Sequence, residues 1–146
     1  MAIVVRQANA NDYQSWQSLW NDYVASSANQ PEDDVNHANW QRILSAQSSF
    51  FCLVAEVDNR VVGFALSVLH EGAWTTRLIC YLENLYVDDK MRRCGIGRAL
   101  LSALRAEGIA NNWQEIHWIT QASNPARGLY NKMATLTDYV NYSMAL

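Results

Sequence analysis

A chain of 146 residues, half of them hydrophobic, has enough apolar mass for one domain with a continuous core. A formal charge of −3 and a pI near 5.5 argue against general nucleic-acid binding, which calls for a basic face. No apolar run approaches the ~20 residues of a membrane span and no secretory pattern opens the chain, so a cytosolic protein is expected.

Residues 3–8 (Ile-Val-Val-Arg-Gln-Ala) have the composition of a first strand. Asn9 to Asp12 supply cap residues, and Trp16, Leu19, Trp20, Tyr23 and Val24 then recur at helical spacing. Ser26 to Pro31 interrupts that helix. A second opens near Pro31-Glu32, where the proline suits a first helical position and the acids suit the dipole, and runs through Trp40, Ile43 and Leu44. Trp16, Trp20 and Trp40 are expected as core or pocket walls. Phe50–Val57 and Val61–Leu69 are two almost wholly apolar strands joined by Asp58-Asn59-Arg60, the pattern of a hairpin covered on both faces.

His70 to Arg77 is expected as a loop, followed by a strand over Leu78–Val87. Arg92-Arg93-Cys94-Gly95-Ile96-Gly97-Arg98 is a basic turn that opens a helix burying Ile96, Leu100, Ala103, Leu104 and Ile109. Gly108 or Asn112 would end it. Glu115–Thr120 is a further strand with Ile116 and Trp118 on one face, Asn124-Pro125 starts a helix carrying Leu129, Tyr130 and Met133, and Tyr139–Leu146 is a last short strand. The order β-α-α-β-β-β-α-β-α-β, with hairpin strands first and a strand-helix-strand crossover after, predicts a single α/β (α+β) domain over residues 1–146. Its central sheet is mixed, mostly antiparallel, and flanked by helices.

Metal-ligating side chains offer little. Cys52, Cys80 and Cys94 are odd in number and contain no Cys-x-x-Cys pair, and His37, His70 and His117 share no ligand spacing, so neither a disulfide framework nor a metal is expected.

The turn after the Leu78–Val87 strand is the chemical feature of the chain. Helix-opening N–H groups point outward, Gly95 and Gly97 allow close approach, and Lys90, Arg92, Arg93, Arg98 and Arg105 cluster nearby, which suits a phosphorylated cofactor. A Walker loop fails because Gly97 is followed by Arg98-Ala99, and a dinucleotide fingerprint fails because Leu100 stands at the third glycine. The pyrophosphate loop of acyl-coenzyme A binders remains. The acidic Glu32-Asp33-Asp34 and Glu83 elsewhere would favour a cationic second substrate, although the trio reads equally well as a solvated face.

Arg92-x-x-Gly95-x-Gly97 resembles the Gln/Arg-x-x-Gly-x-Gly/Ala signature of the GNAT superfamily of N-acetyltransferases. Asn124-x-Ala126-x-x-x-Tyr130 resembles that family's later Asn-x-x-Ala-x-x-x-Tyr region, shortened by one residue. Tyr81-Leu82-Glu83-Asn84-Leu85-Tyr86-Val87 is similar to the strand of a branch that includes small-amine and histone-type enzymes, and Tyr139-Val140-Asn141-Tyr142 to its closing strand. Asn84 and Cys94 depart from the common pattern, and one terminal strand stands where many relatives have two.

The resemblance implies a GNAT-like acyl-CoA N-acyltransferase fold and transfer of an acetyl group from acetyl-CoA to a primary amine by direct attack. A small molecule such as a polyamine or amino acid is the expected acceptor. The alternatives are a protein lysine acetyltransferase and a non-catalytic coenzyme A-binding subunit. It further implies that the N–H of Leu85 faces the acetyl oxygen and that of Val87 the pantetheine arm, along the Leu85-Tyr86-Val87 segment. The amides from Arg93 through Cys94, Gly95, Ile96 and Gly97 to Arg98 would hold the pyrophosphate, with ionic help from Arg92 and Arg93. Asn124 would bind the pantetheine amides or cap its helix, and Tyr130 would protonate the departing thiolate, or else pack in the core.

Acetyl transfer needs a neutral amine, a stabilised carbonyl oxygen and a protonated leaving group. Alternation along the strand puts Ile79, Tyr81, Glu83, Leu85 and Val87 on one face, where a carboxylate needs work or a partner. Glu83 is therefore the candidate general base, directly or through water, against the alternative of an ion pair or a substrate-orienting contact. Cys94 is not expected to act as a nucleophile, since direct transfer needs no acyl-enzyme. His70 and Trp74 are candidates for lining the amine pocket. A lone terminal strand with a free edge suggests a homodimer.

Overall fold

The computed structural model describes all 146 residues. Strands β1 (Ile3–Gln7), β2 (Phe50–Val57), β3 (Arg60–Gly72), β4 (Thr75–Val87) and β5 (Ile116–His117) form one sheet in the order β1-β2-β3-β4-β5. The first four pair antiparallel and β5 joins β4 parallel. Connections dictate this: Asp58 and Asn59, both at positive φ, make the two-residue turn between β2 and β3, whereas β4 reaches β5 only through a helix.

Helices α1 (Tyr13–Ala25) and α2 (Asp33–Leu44) cover one face of the sheet. Trp16, Leu19 and Trp20 from α1, with Trp40 and Ile43 from α2, pack on Cys52, Val54, Phe64, Leu66 and Tyr86. Helix α3 (Ile96–Ala110) covers the other, placing Ile96, Leu100, Leu101 and Leu104 on Leu53, Ala55, Val57, Ala65, Cys80 and Leu82. Successive residues of β2 thus serve opposite cores, which is why the strand has no polar alternation. Each such side chain contributes about 1.5–3 kcal/mol by leaving water. Helix α4 (Arg127–Met133) adds Leu129, Tyr130 and Met133 to the α3 side.

Arg6 ties the entry to α1 to the sheet. Its guanidinium reaches both oxygens of buried Asp12 at 2.8 Å and Oε1 of Glu56 at 2.7 Å, and Asp12 also accepts the Asn9 N–H at 2.8 Å. Arg6 holds the Asp12 carboxyl below its ordinary range against the opposing cost of burial. No helix is long and apolar enough to cross a membrane.

Several sequence expectations need correction. The expected loop over His70–Arg77 is a hairpin: β3 continues to Gly72, β4 begins at Thr75, and only Ala73 and Trp74 turn the chain. Trp74 is 98% exposed at that tip, so it lines no pocket. Ile109 is exposed rather than buried; α3 continues through Gly108, which packs on Trp113, and ends before Asn112 at φ 56°. The strand expected over Glu115–Thr120 is limited to Ile116–His117, and the last strand, Tyr139–Leu146, is not formed. A strand needs a hydrogen-bonding edge, and those residues are exposed and pair with no strand.

Candidate active site

The short β5 determines the shape of the site. Cys80 donates its N–H to Glu115 O at 3.0 Å and Gln114 donates to Leu78 O at 2.8 Å, but the pairing ends at Tyr81↔His117. From Leu82 to Val87 the β5-side edge of β4 has no strand neighbour. Asp88 donates back to Val62 O on the β3 side at 2.8 Å, so alternation turns the amides of Val87 and Leu85 toward the open side. The two residues expected to offer free N–H groups thus lie along the gap between the parting strands.

Glu83 sits at a β-bulge. Asn84 pairs with Leu66 and Leu82 with Ser67, leaving Glu83 as the extra residue. The bulge overturns the expected alternation: Cys80, Leu82, Leu85 and Val87 serve the α3 side, whereas Tyr86 packs under α1. Tyr81 and Asn84, one on each side of Glu83 and of opposite parity, consequently share the α1 side. Glu83 is an exposed residue with no salt-bridge or hydrogen-bond partner, so the ion-pair alternative fails. Partial burial of its carboxyl raises its pKa above the ordinary value. A local motif gives no sign of a bulge; only the register against β3 reveals it.

Beyond β4, Arg92 is already engaged. Its Nε donates to Val87 O at 3.2 Å, its Nη1 lies 2.9 Å from Asp89 Oδ1, and its guanidinium stands 5.4 Å from the centre of the Tyr86 ring. It therefore braces the strand's exit onto the turn. Arg93 at φ 63° and Gly95 at φ 83° then swing the chain into α3. Gly95 is the N-terminal boundary residue and has no side chain to cap the helix; the first amide to find a helical acceptor is that of Ala99, on Gly95 O at 3.0 Å. The N–H groups of Ile96, Gly97 and Arg98 are left without protein acceptors, and a Cβ placed on Gly95 would meet nothing within 4 Å. Cys94 is exposed, with its thiol 3.5 Å from Arg92 O.

Tyr130 projects from α4, half-buried, with Trp118 edge-on at 5.3 Å. Burial pushes its phenol pKa up, and Tyr23 adds to the shift. Tyr23 comes from α1, so a tyrosine from each face approaches where the strands part. Its hydroxyl accepts Asn84 Nδ2 at 2.9 Å and its ring stands edge-on to Tyr86 at 5.8 Å. Sequence periodicity gives Tyr23 only a packing role; its place in the site comes from contacts across elements. Asn124 closes a turn ahead of α4 and is not its cap, since Ala126 is the boundary residue: its Oδ1 accepts the Ala126 N–H at 2.9 Å and its Nδ2 donates to Thr120 Oγ1 at 2.7 Å.

Three comparisons bear on this geometry. Residues 13–134 match the Acetyltransferase (GNAT) family. The chain is 26% identical over 143 residues to a D-amino-acid N-acetyltransferase of Saccharomyces cerevisiae, an alignment covering 96% of this chain and 89% of that one. Among solved structures, a ribosomal-protein-alanine N-acetyltransferase from Brucella melitensis biovar Abortus 2308 superposes with TM-score 0.83 at 21% identity, covering 100% of both chains. AAC(6')-Iy, in complex with the bisubstrate analog CoA-S-monomethyl-acetylneamine, superposes with TM-score 0.82 at 19% identity, covering 100% of this chain and 99% of that one. The structural likenesses carry the fold, and the family match over most of the chain carries the activity class: the chain is an N-acetyltransferase of the GNAT family.

Proposed function

We propose that the protein transfers an acetyl group from acetyl-CoA to a primary amine on a small molecule. The observation that carries this reading is the gap between β4 and β5, with unpaired amides along it and the uncapped start of α3 beyond it. The amides of Ile96, Gly97 and Arg98 would receive the diphosphate of the cofactor, with Arg93 adding charge. Val87 N–H would take the pantetheine arm, and Asn124 would support it. The cofactor supplies an activated thioester; the residues supply everything else. Leu85 N–H stabilises charge on the acetyl oxygen, Glu83 removes the amine proton, and the Tyr130 hydroxyl gives a proton to the departing sulfur.

Titration calorimetry with coenzyme A tests the foundation directly. The parent protein is expected to release heat at a single site. Gly95→Ala is expected to weaken the affinity about tenfold, because a left-handed alanine costs about 1–2 kcal/mol and the loop must shift to relieve it. No heat with the parent protein would sink the reading.

A homodimer belongs to the same proposal. The tail after α4 exposes Leu136 (72%), Tyr139, Val140, Tyr142 (91%) and Met144, whereas monomers rarely leave so much contiguous apolar surface in water. The chain leaves α4 at Ala134, on the rim of a groove of about 300 Å³ walled by Trp113, Ile116, Trp118 and Met133. Beside that groove β5 presents its unpaired outer edge. The occupant proposed for this edge is the tail of a second copy, added as a strand. Light scattering is expected to give twice the chain mass for the full protein and the chain mass after removal of residues 135–146. A monomer at all concentrations would overturn it.

A further inference from the structure

Three side chains just below the parting strands have no role in the chemistry above. His70 Nδ1 lies 2.8 Å from Glu71 O, and His70 Nε2 lies 3.2 Å from His117 Nε2. Tyr81 stacks on the His117 ring at 4.8 Å and 24°, while His70 meets it edge-on at 5.5 Å and 77°. The rings come from β3, β4 and β5, and His117 belongs to the last rung before the strands separate.

One atom sets the direction of this hydrogen-bond chain. A carbonyl oxygen can only accept, so His70 Nδ1 carries the proton facing Glu71 O. Neutral His70 then offers a lone pair at Nε2, and His117 Nε2 must donate to it. His117 is left with a lone pair on Nδ1, and no protein donor meets that atom. Burial lowers the His117 pKa, with Glu115 opposing and His70 reinforcing, so the neutral form is the relevant one near pH 7.

Two acids act on this cluster: Glu115, two positions before His117, on the His117 ring, and Glu83 on Tyr81, which stacks on that ring. Tyr81 is neutral, and Arg77, farther along β4, is turned to Gln114 at 2.6 Å and Asn112 at 3.2 Å. Such a surface repels a carboxylate and attracts an ammonium.

We infer that His117, held by His70, forms a distal subsite whose free Nδ1 lone pair accepts a hydrogen bond from a second ammonium group on the substrate, making the acceptor class a diamine or polyamine. This rests on the acetyl-transfer reading and narrows it. Tyr81 and Leu85 are four positions apart on β4, ~13 Å at full extension and less across the bulge. An amine attacking beside Leu85 would therefore carry its second nitrogen about 10–13 Å away, the reach of a long diamine or a polyamine.

The test compares thiol release for diamines and for monoamines of equal carbon number. The parent enzyme is expected to favour the diamine at least tenfold in kcat/KM, through KM. His117→Ala should bring that ratio close to one. His117→Asn should keep it, because Asn Oδ1 stands where Nδ1 stood, and His117→Gln, which imitates only the Nε2–H, should lose it. A parent ratio near one, or a ratio unmoved by His117→Ala, overturns the subsite. If no amine is acetylated, the acetyl-transfer reading itself has failed. The subsite is then decided by 15N spectra of the imidazoles, which do not depend on turnover. A proton on His70 Nδ1, and a diamine that moves the His117 Nδ1 resonance where a monoamine does not, support it; a still resonance or a proton on His70 Nε2 overturns it.

Discussion

Replacing Tyr130 by phenylalanine is expected to lower kcat about a hundredfold while coenzyme A still binds. The magnitude is that of removing one positioned proton donor. The geometry explains why this tyrosine can serve as the donor. Half-buried on α4, it faces Trp118 with its ring and has no protein partner for its hydroxyl. Burial raises its pKa above the ordinary phenol value near ~10, so the proton is retained throughout neutral and mildly alkaline solution and is available when a thiolate leaves. In the parent, loss of this donor should reduce the rate only above the ordinary phenol range, and that decline should vanish in Tyr130→Phe. Loss of packing alone would weaken coenzyme A binding or thermal stability and leave kcat close to the parent's. An unchanged kcat removes the proton-donor role.

Glu83→Gln is the second large effect, again about a hundredfold in kcat near pH 7. A general base works only when deprotonated. Because partial burial raises the Glu83 pKa, activity should fall as pH drops through a value above the ordinary carboxylate range. With glutamine that acid limb disappears. The remaining rate should climb with pH toward the free amine's own pKa near ~10.4, because solution chemistry must then supply the neutral nucleophile. A profile identical to the parent's assigns Glu83 an orienting contact instead.

Local sequence carries a good part of this site. Gly95 and Gly97 in a basic turn after an apolar strand are enough to place the start of a helix, and α3 begins there without a cap. The wholly apolar β2 and β3 announce two covered faces, and both cores are present. What local pattern does not supply is register. Simple alternation assigns Glu83 to the same face as Leu85, but one extra residue against β3 reverses parity at that position. Tyr23 and His117 are hidden for a related reason: each gains its role from a partner on another element, Asn84 for one and His70 for the other. The His70–Arg77 segment looks like a loop because its composition is polar, yet a hairpin tolerates polar residues along exposed strand ends. The tail fails as a strand because no strand of this chain pairs with it, and composition alone does not reveal whether an edge is at hand.

The irregularity at Glu83 also divides the labour of β4. On the proposed reading, Ile79 and Tyr81 upstream of it would vary under pressure from a new amine, while Leu85 and Val87 would keep their hold on the donor. A scaffold arranged this way can exchange nucleophiles in small mutational steps without rebuilding its thioester chemistry, which would allow one architecture to serve many metabolites.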